Sequence, residues 1–208
     1  METLIKKILV LCLLCFSIQL KAQTSEMKNV EDAFSSSYTL ELKAEYNAAM
    51  AILKTVYDEK SYEINLRLGW LNYLAGLFTE SSAYYQKAIS LKPYSIEAKL
   101  GFAYPAAALG NLDQVIKQYQ EILTIDPQNT IANYRMGSIY YGKKEYADAD
   151  KYLEKVVNLY PFDYDSNILY AWTQYHLGKF REAQVLFHKV LMIRPNNSSA
   201  LEGLGLIK

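Results

Sequence analysis

Trp172, Tyr175 and His176 fall together in the stretch AWTQYHLGKFREA, residues 171–183. A histidine is the side chain best suited to moving a proton near neutral pH, and it is the commonest metal ligand. The other histidine, His188, lies twelve positions further on, and no His pair stands at metal-ligand spacing. The segment DYDSN, 163–167, begins like a calcium loop, but Ile168 stands where that loop needs Gly and Gln174 where it needs Glu. Asp165 or Ser166 is expected instead to cap a helix that starts after Pro161. The segment NNSS, 196–199, contains glycosylation sequons in residues that equally suit a turn and a helix cap. No phosphate loop, Ser-His-Asp order or paired-carboxylate signature occurs. The sequence therefore points to no catalytic residue, no metal site and no cofactor. His176 has to be explained by the elements that hold it.

A fixed spacing runs through those elements. Pro93, Pro127, Pro161 and Pro195 are each 34 residues apart, so four of the five prolines share one lattice. Tyr85, Tyr119, Leu153 and Phe187 form a second row at this spacing, and Ile89, Leu123, Val157 and Leu191 a third. Leu91, Ile125, Leu159 and Ile193 form a fourth. Gly76, Gly110 and Gly178 form a fifth, in which Lys144 takes the remaining place. Five agreeing rows mark an internal repeat. Within a period the apolar rhythm is helical: Phe180, Ala183, Leu186, Phe187, Val190 and Leu191 step by one helix face. Proline stops that helix, because its ring clashes with the preceding turn. Glycine just past the other helix can take the left-handed conformation of a C-terminal cap. Each period is thus helix, Gly turn, helix, Pro turn, and stacked pairs bury what one pair cannot. His176 stands in the last turn of a first helix, before Gly178, where a positive charge meets the negative helix end.

The repeat is similar to the tetratricopeptide repeat family. The resemblance rests on Leu68, Gly69, Gly76, Ala88 and Pro93, then on Gly110, Tyr119 and Pro127. It continues through Gly137, Tyr140, Ala149 and Pro161 to Gly178, Ala183, Phe187 and Pro195. It covers four repeats, 62–95, 96–129, 130–163 and 164–197. What it implies is an all-α fold, a right-handed superhelical solenoid of antiparallel helix pairs. Residues 26–61 read as a degenerate first repeat, with Tyr46, Ala49, Leu53 and Val56 fitting the pattern after a turn two residues shorter. Residues 198–208 read as half a repeat. There are departures too. Asn65, Lys99, Asn133 and Asn167 stand where the family usually has Trp, and Ser81 and Val115 replace a small Ala. Pro105 falls inside a first helix and is expected to kink or split it.

In the family the first helices line a groove. Carried across, that geometry gives the groove Arg67, Trp70 and Tyr73, then Tyr104, then Tyr134, Arg135, Ser138 and Tyr141, then Trp172, Tyr175 and His176. Tyr, Trp and Arg are the residues of binding hot spots. Rigid rings suit an extended peptide, and they also suit sugar rings. Two arginines are too few for the basic clamp of chaperone-binding members.

The ends and the composition bound the function. Lys6 and Lys7 precede an apolar run from Ile8 to Leu20, and Ala22 stands before Gln23. This is the succession of a secretory signal, expected to be cleaved after residue 22. The run is too short for a permanent membrane span, so none is expected after cleavage. Cleavage would also remove Cys12 and Cys15, the only cysteines. Basic and acidic residues balance at 22 each with no polybasic block, which argues against nucleic acid. The expectation is an exported, periplasmic or cell-envelope scaffold that is not an enzyme and binds a protein or extended peptide. The alternative is a module for glycan or peptidoglycan fragments. Residues 200–208 carry Leu201, Leu204, Leu206 and Ile207, which one short helix cannot turn to a single neighbour, so docking of this patch on a partner, or self-association through it, is a further expectation.

Overall fold

The computed structural model describes residues 27–207, and the expected signal segment, 1–22, lies outside them. The described chain forms helices α1 (27–41), α2 (Tyr46–Lys54), α3 (Tyr62–Leu74), α4 (Phe78–Leu91), α5 (Ile96–Ala108), α6 (Leu112–Ile125), α7 (Thr130–Gly142), α8 (Tyr146–Leu159), α9 (Tyr164–His176), α10 (Phe180–Ile193) and α11 (Ser198–Leu206). No strand occurs among the described residues. The chain divides after Pro93 into two compact units. Unit 1 holds α1–α4 and unit 2 holds α5–α11.

The repeat is written into the helix ends. Ser61, Ser95, Asn129, Asp163 and Asn197 stand 34 residues apart and begin the first helices α3, α5, α7, α9 and α11. Each side-chain oxygen accepts the amide N–H three residues on, at 2.9–3.2 Å. These bonds satisfy donors that a helix start leaves open. The cap of α9 is Asp163, not Asp165 or Ser166. Its carboxylate accepts from both the amide and the hydroxyl of Ser166, at 2.9 and 2.6 Å, which draws the helix start nearer to Pro161. At the other end Gly76, Gly110 and Gly178 take φ of 74–76°, and Lys144 takes 63° at the equivalent place. The residue after each closes a six-to-one bond, Glu145 N–H to Tyr140 O at 2.9 Å for instance.

The positions without the family's Trp have a structural role. Asn65, Asn133 and Asn167 are fully buried. Each amide donates twice. Asn133 Nδ2 bonds Pro127 O at 3.1 Å and Asn129 O at 2.9 Å, and Asn167 repeats this on Pro161 and Asp163. Asn65 does the same on Glu59 O and Ser61 O. The side chain pins the incoming turn to the helix start. Lys99 interrupts the series and pairs with Glu121 instead.

Tyr85, Tyr119, Leu153 and Phe187 are buried between paired helices. The pairs approach closely enough to need glycine. A Cβ on Gly69 would lie 2.9 Å from the Tyr85 ring, and one on Gly137 would lie 2.6 Å from Leu153 Cγ. Leu91, Ile125 and Leu159 of the fourth row are exposed, because each is the last residue of its helix, at the surface turn. Pro105 does not split α5, which runs unbroken to Ala108. Only one donor is lost there, late in the helix, and Pro105 and Ala106 are buried against the core.

α11 packs on α9 and α10. A Cβ on Gly203 would come 2.2 Å from Phe187 Cζ, so only glycine allows this approach. Leu204 and Ile207 join the core around Phe187, while Leu201 and Leu206 stay about half exposed.

Candidate functional site

In unit 1 the expected groove residues turn to α1. Arg67 is only 6% exposed. Its Nε donates to Ser37 Oγ at 3.1 Å, its guanidinium pairs with Glu41, and its Cζ lies 3.8 Å from the centre of the Tyr38 ring. Trp70 Nε1 donates to the other Glu41 oxygen at 2.8 Å. The Tyr73 ring packs against Trp70 and Phe78. The degenerate first repeat therefore supplies a carboxylate that two first-helix donors of the next repeat share.

In unit 2 the expected residues gather into two neighbouring groups on α5, α7 and α9. The first lines a cavity of about 400 Å³, bounded by Tyr104, Thr130, Ile131, Tyr134, Arg135, Val156, Tyr160, Asp163, Asp165 and Ser166. Tyr104, Tyr134 and Arg135 were legible from sequence; Ile131, Tyr160 and the two aspartates were not. Tyr160 precedes a lattice proline, Asp165 reads as a helix cap, and Asp163 reads only as the start of a failed calcium-loop pattern. Burial pushes the Tyr134 hydroxyl above its ordinary pKa, and the Asp165 carboxylate adds to this. The Arg135 guanidinium acts in the opposite direction.

The second group surrounds His176. Its ring stacks on Tyr146 with centroids 4.4 Å apart and 12° between planes. Tyr141, Trp172 and Tyr175 lie around it at 5.5–6.2 Å. Trp172 is fixed from behind by Phe187, edge to face at 5.0 Å, and its Nε1 donates to Ser199 Oγ at 2.8 Å. Burial raises the Tyr141 pKa, with Tyr146 beside it. His176 is the exposed hub of an aromatic cluster. Ser138 is half-buried on α7, between Tyr134 and Tyr141 in sequence.

A third polar feature involves α8, α9 and α10. Tyr170 stands where Leu68, Phe102 and Met136 stand in the other repeats. It lines a cavity of about 540 Å³ with Glu154, Gln174, Lys179, Arg181 and Glu182. Gln174 and Lys179 both donate to Asp150. Burial and the neighbouring Asp150, Glu154 and Glu182 carboxylates push the Tyr170 hydroxyl far above its usual range. Among the described residues no three His, Cys, Asp or Glu side chains gather as a metal would need. No described helix is long and apolar enough to cross a membrane.

Helix pairs on a 34-residue lattice, with rings and an arginine on the first helices, define a helical repeat scaffold. Sequence profiles of the tetratricopeptide repeat match residues 62–95 and 106–165. The TPR repeat-containing protein YpiA of Bacillus subtilis (strain 168) is 26% identical over 176 residues, covering 81% of this chain. The TPR repeat-containing thioredoxin TTL4 of Arabidopsis thaliana is 31% identical over 87 residues, covering 42%. This chain spans only 42% and 13% of those two proteins, and 12% of the Protein CTR9 homolog of Arabidopsis thaliana. Among solved structures, a tetratricopeptide repeat protein from Parabacteroides merdae ATCC 43184 matches at TM-score 0.73 and 19% identity, covering 86% of this chain and 72% of that one. MamA matches at TM-score 0.69 and 20% identity, covering 80% and 92%. YrrB, described as a TPR protein with an unusual peptide-binding site, matches at 0.68 and 14%, covering 88% and 95%. The chain is a tetratricopeptide repeat protein, and its fold is the all-α repeat solenoid of that family. Such repeats support a protein–protein interaction scaffold.

Proposed function

We propose that the protein is an exported, non-catalytic scaffold that holds another protein, or an extended segment of one, in a cell-envelope assembly. The observation that carries this reading is the first-helix face of unit 2. It sets Tyr104, Tyr134, Arg135 and Tyr160 around one cavity and clusters Tyr141, Trp172, Tyr175 and His176 beside it. Half-exposed rings held by their neighbours lose little freedom on binding, and such rings with arginine dominate hot spots. The peptide-binding site ascribed to YrrB lends support. Export rests on the basic, apolar and small-residue succession of residues 1–22.

The glycan reading is the weaker one. A sugar needs an open ring face, whereas the His176 and Tyr146 faces cover each other and the Trp172 N–H is already bonded. Self-association through 200–208 is a secondary element of the proposal, motivated by the exposed Leu201 and Leu206. Sedimentation with and without that segment tests it, since a monomer in both cases removes it. Chemical cross-linking of envelope fractions, followed by mass spectrometry, tests the main reading. A discrete protein partner should be captured by wild type and lost with Tyr134→Ala combined with Tyr175→Ala. Equal capture by both would overturn it.

A further inference from the structure

We propose that Arg135, with Ser138 on the same helix and Tyr104 on α5, receives an acidic side chain of the bound partner. This rests on the protein-binding reading above and adds the chemistry of one contact.

The chain contains its own precedent. In unit 1 the Arg67 guanidinium lies under the Tyr38 ring and pairs with Glu41, while Trp70, three residues on, donates to the same carboxylate. Arg135 is two periods after Arg67, and Ser138 is two periods after Trp70. The same two places on a first helix thus carry a guanidinium and a second donor. The position of the covering ring also recurs in register. Ala44 and Gly76 take the same left-handed turn 32 residues apart, so α1 runs two residues short of the lattice. In that register Tyr38 corresponds to Tyr104 two repeats on, while Ser37 and Glu41 correspond to Ala103 and Ala107. Unit 2 keeps the arginine, the ring and the donor, and lacks both acceptors.

The environment agrees with that correspondence. Tyr104 and Arg135 line the same cavity; burial raises the pKa of the nearby Tyr119 hydroxyl, Arg135 opposes this and Tyr104 adds to it. Arg67 is buried, whereas Arg135 is exposed and, among the described residues, its side chain makes no ion pair or hydrogen bond. A guanidinium fork matches a carboxylate with two parallel bonds, so the missing group is defined by its geometry. The precedent is a side chain delivered from a passing helix, not a chain end. The Asp163 and Asp165 carboxylates on the cavity wall repel a second acid and restrict the first to the Arg135 side.

The test is a nuclear magnetic resonance titration of the full chain with blocked alanine pentapeptides carrying a central Glu, Gln or Lys, and with the Gln peptide bearing a free C-terminus. The blocked Glu peptide should move the Arg135 Nε–H and Ser138 signals saturably, and the Gln and Lys peptides should not. Arg135→Gln should weaken the Glu peptide about tenfold or more, the worth of a charge-assisted hydrogen bond. Asp165→Asn should strengthen it. Equal response to Glu and Gln, an unchanged affinity in Arg135→Gln, or preference for the free C-terminus would overturn the proposal. If partner capture still depends on Tyr134 and Tyr175 while Arg135→Gln captures normally, the scaffold reading stands and only the carboxylate site falls.

Discussion

The His176 ring lies on that of Tyr146, centroids 4.4 Å apart and 12° from parallel. Tyr146 begins α8 and His176 ends α9, so the stack clasps two successive repeats. A histidine that looks chemical in sequence acts here as a flat packing surface. His176→Ala should therefore lower stability by about 0.5–1.5 kcal/mol, the worth of an aromatic pair beyond its buried area. Urea titration followed through Trp172 fluorescence reads this. No loss would mean that the stack does not hold the two helices together.

Asn167 leads to a larger effect. Its amide joins the carbonyls of Pro161 and Asp163, and it is fully buried. Asn167→Ala strands two carbonyls and should cost about 1–3 kcal/mol. Asn133→Ala should behave alike. A near-neutral denaturation midpoint for both would show that the asparagine series does not position the turns.

These two cases show how far the sequence could be read. The lattice of prolines and glycines placed the turns near 76, 93, 110, 127, 161, 178 and 195, because proline and left-handed φ leave few alternatives, but not the turn at Lys144 or those of the first repeat. The Asn positions were visible only as a departure from the family's Trp. Their role depends on which carbonyls the turn brings back to the helix start, and spacing alone does not reveal that. Arg67 was expected in the groove, and its burial could not be read because it needs the register of α1, where the repeat is two residues short. Pro105 was expected to kink or split α5; the helix is not split, because packing of Pro105 and Ala106 outweighs one missing hydrogen bond. The cavity was half legible: its rings follow the helix pattern, while Asp165 looked like a capping residue and Asp163 carried no signal beyond the rejected calcium-loop pattern.

Lys144 holds a left-handed φ of 63° where the other repeats use glycine. A side chain there costs about 1 kcal/mol relative to glycine. Lys144→Gly should therefore raise the unfolding midpoint, although glycine usually weakens a protein. A lowered midpoint would mean that the Lys144 side chain makes a contact worth more than the strain.

Tyr170 sets a limit at alkaline pH. Burial and the Asp150 carboxylate raise its pKa above the ordinary 10.0. The folded state thus holds a proton that the unfolded state releases first. The associated stability is complete below pH 10 and is lost as pH rises past it. Urea midpoints should fall as pH rises beyond about 10, and fall less steeply in Tyr170→Phe. Identical slopes would show that Tyr170 ionises equally in both states.

The central claim is that the first-helix face of unit 2 holds a partner protein. A photo-cross-linking residue can be placed at Ile131, 51% exposed beside the cavity on α7, or at Val185, 65% exposed on the second helix α10. Both sites are open, so accessibility does not decide between them. Irradiation in cells should give one discrete protein adduct from position 131 and none from 185. An adduct from 185 alone, or none from either, would contradict the account.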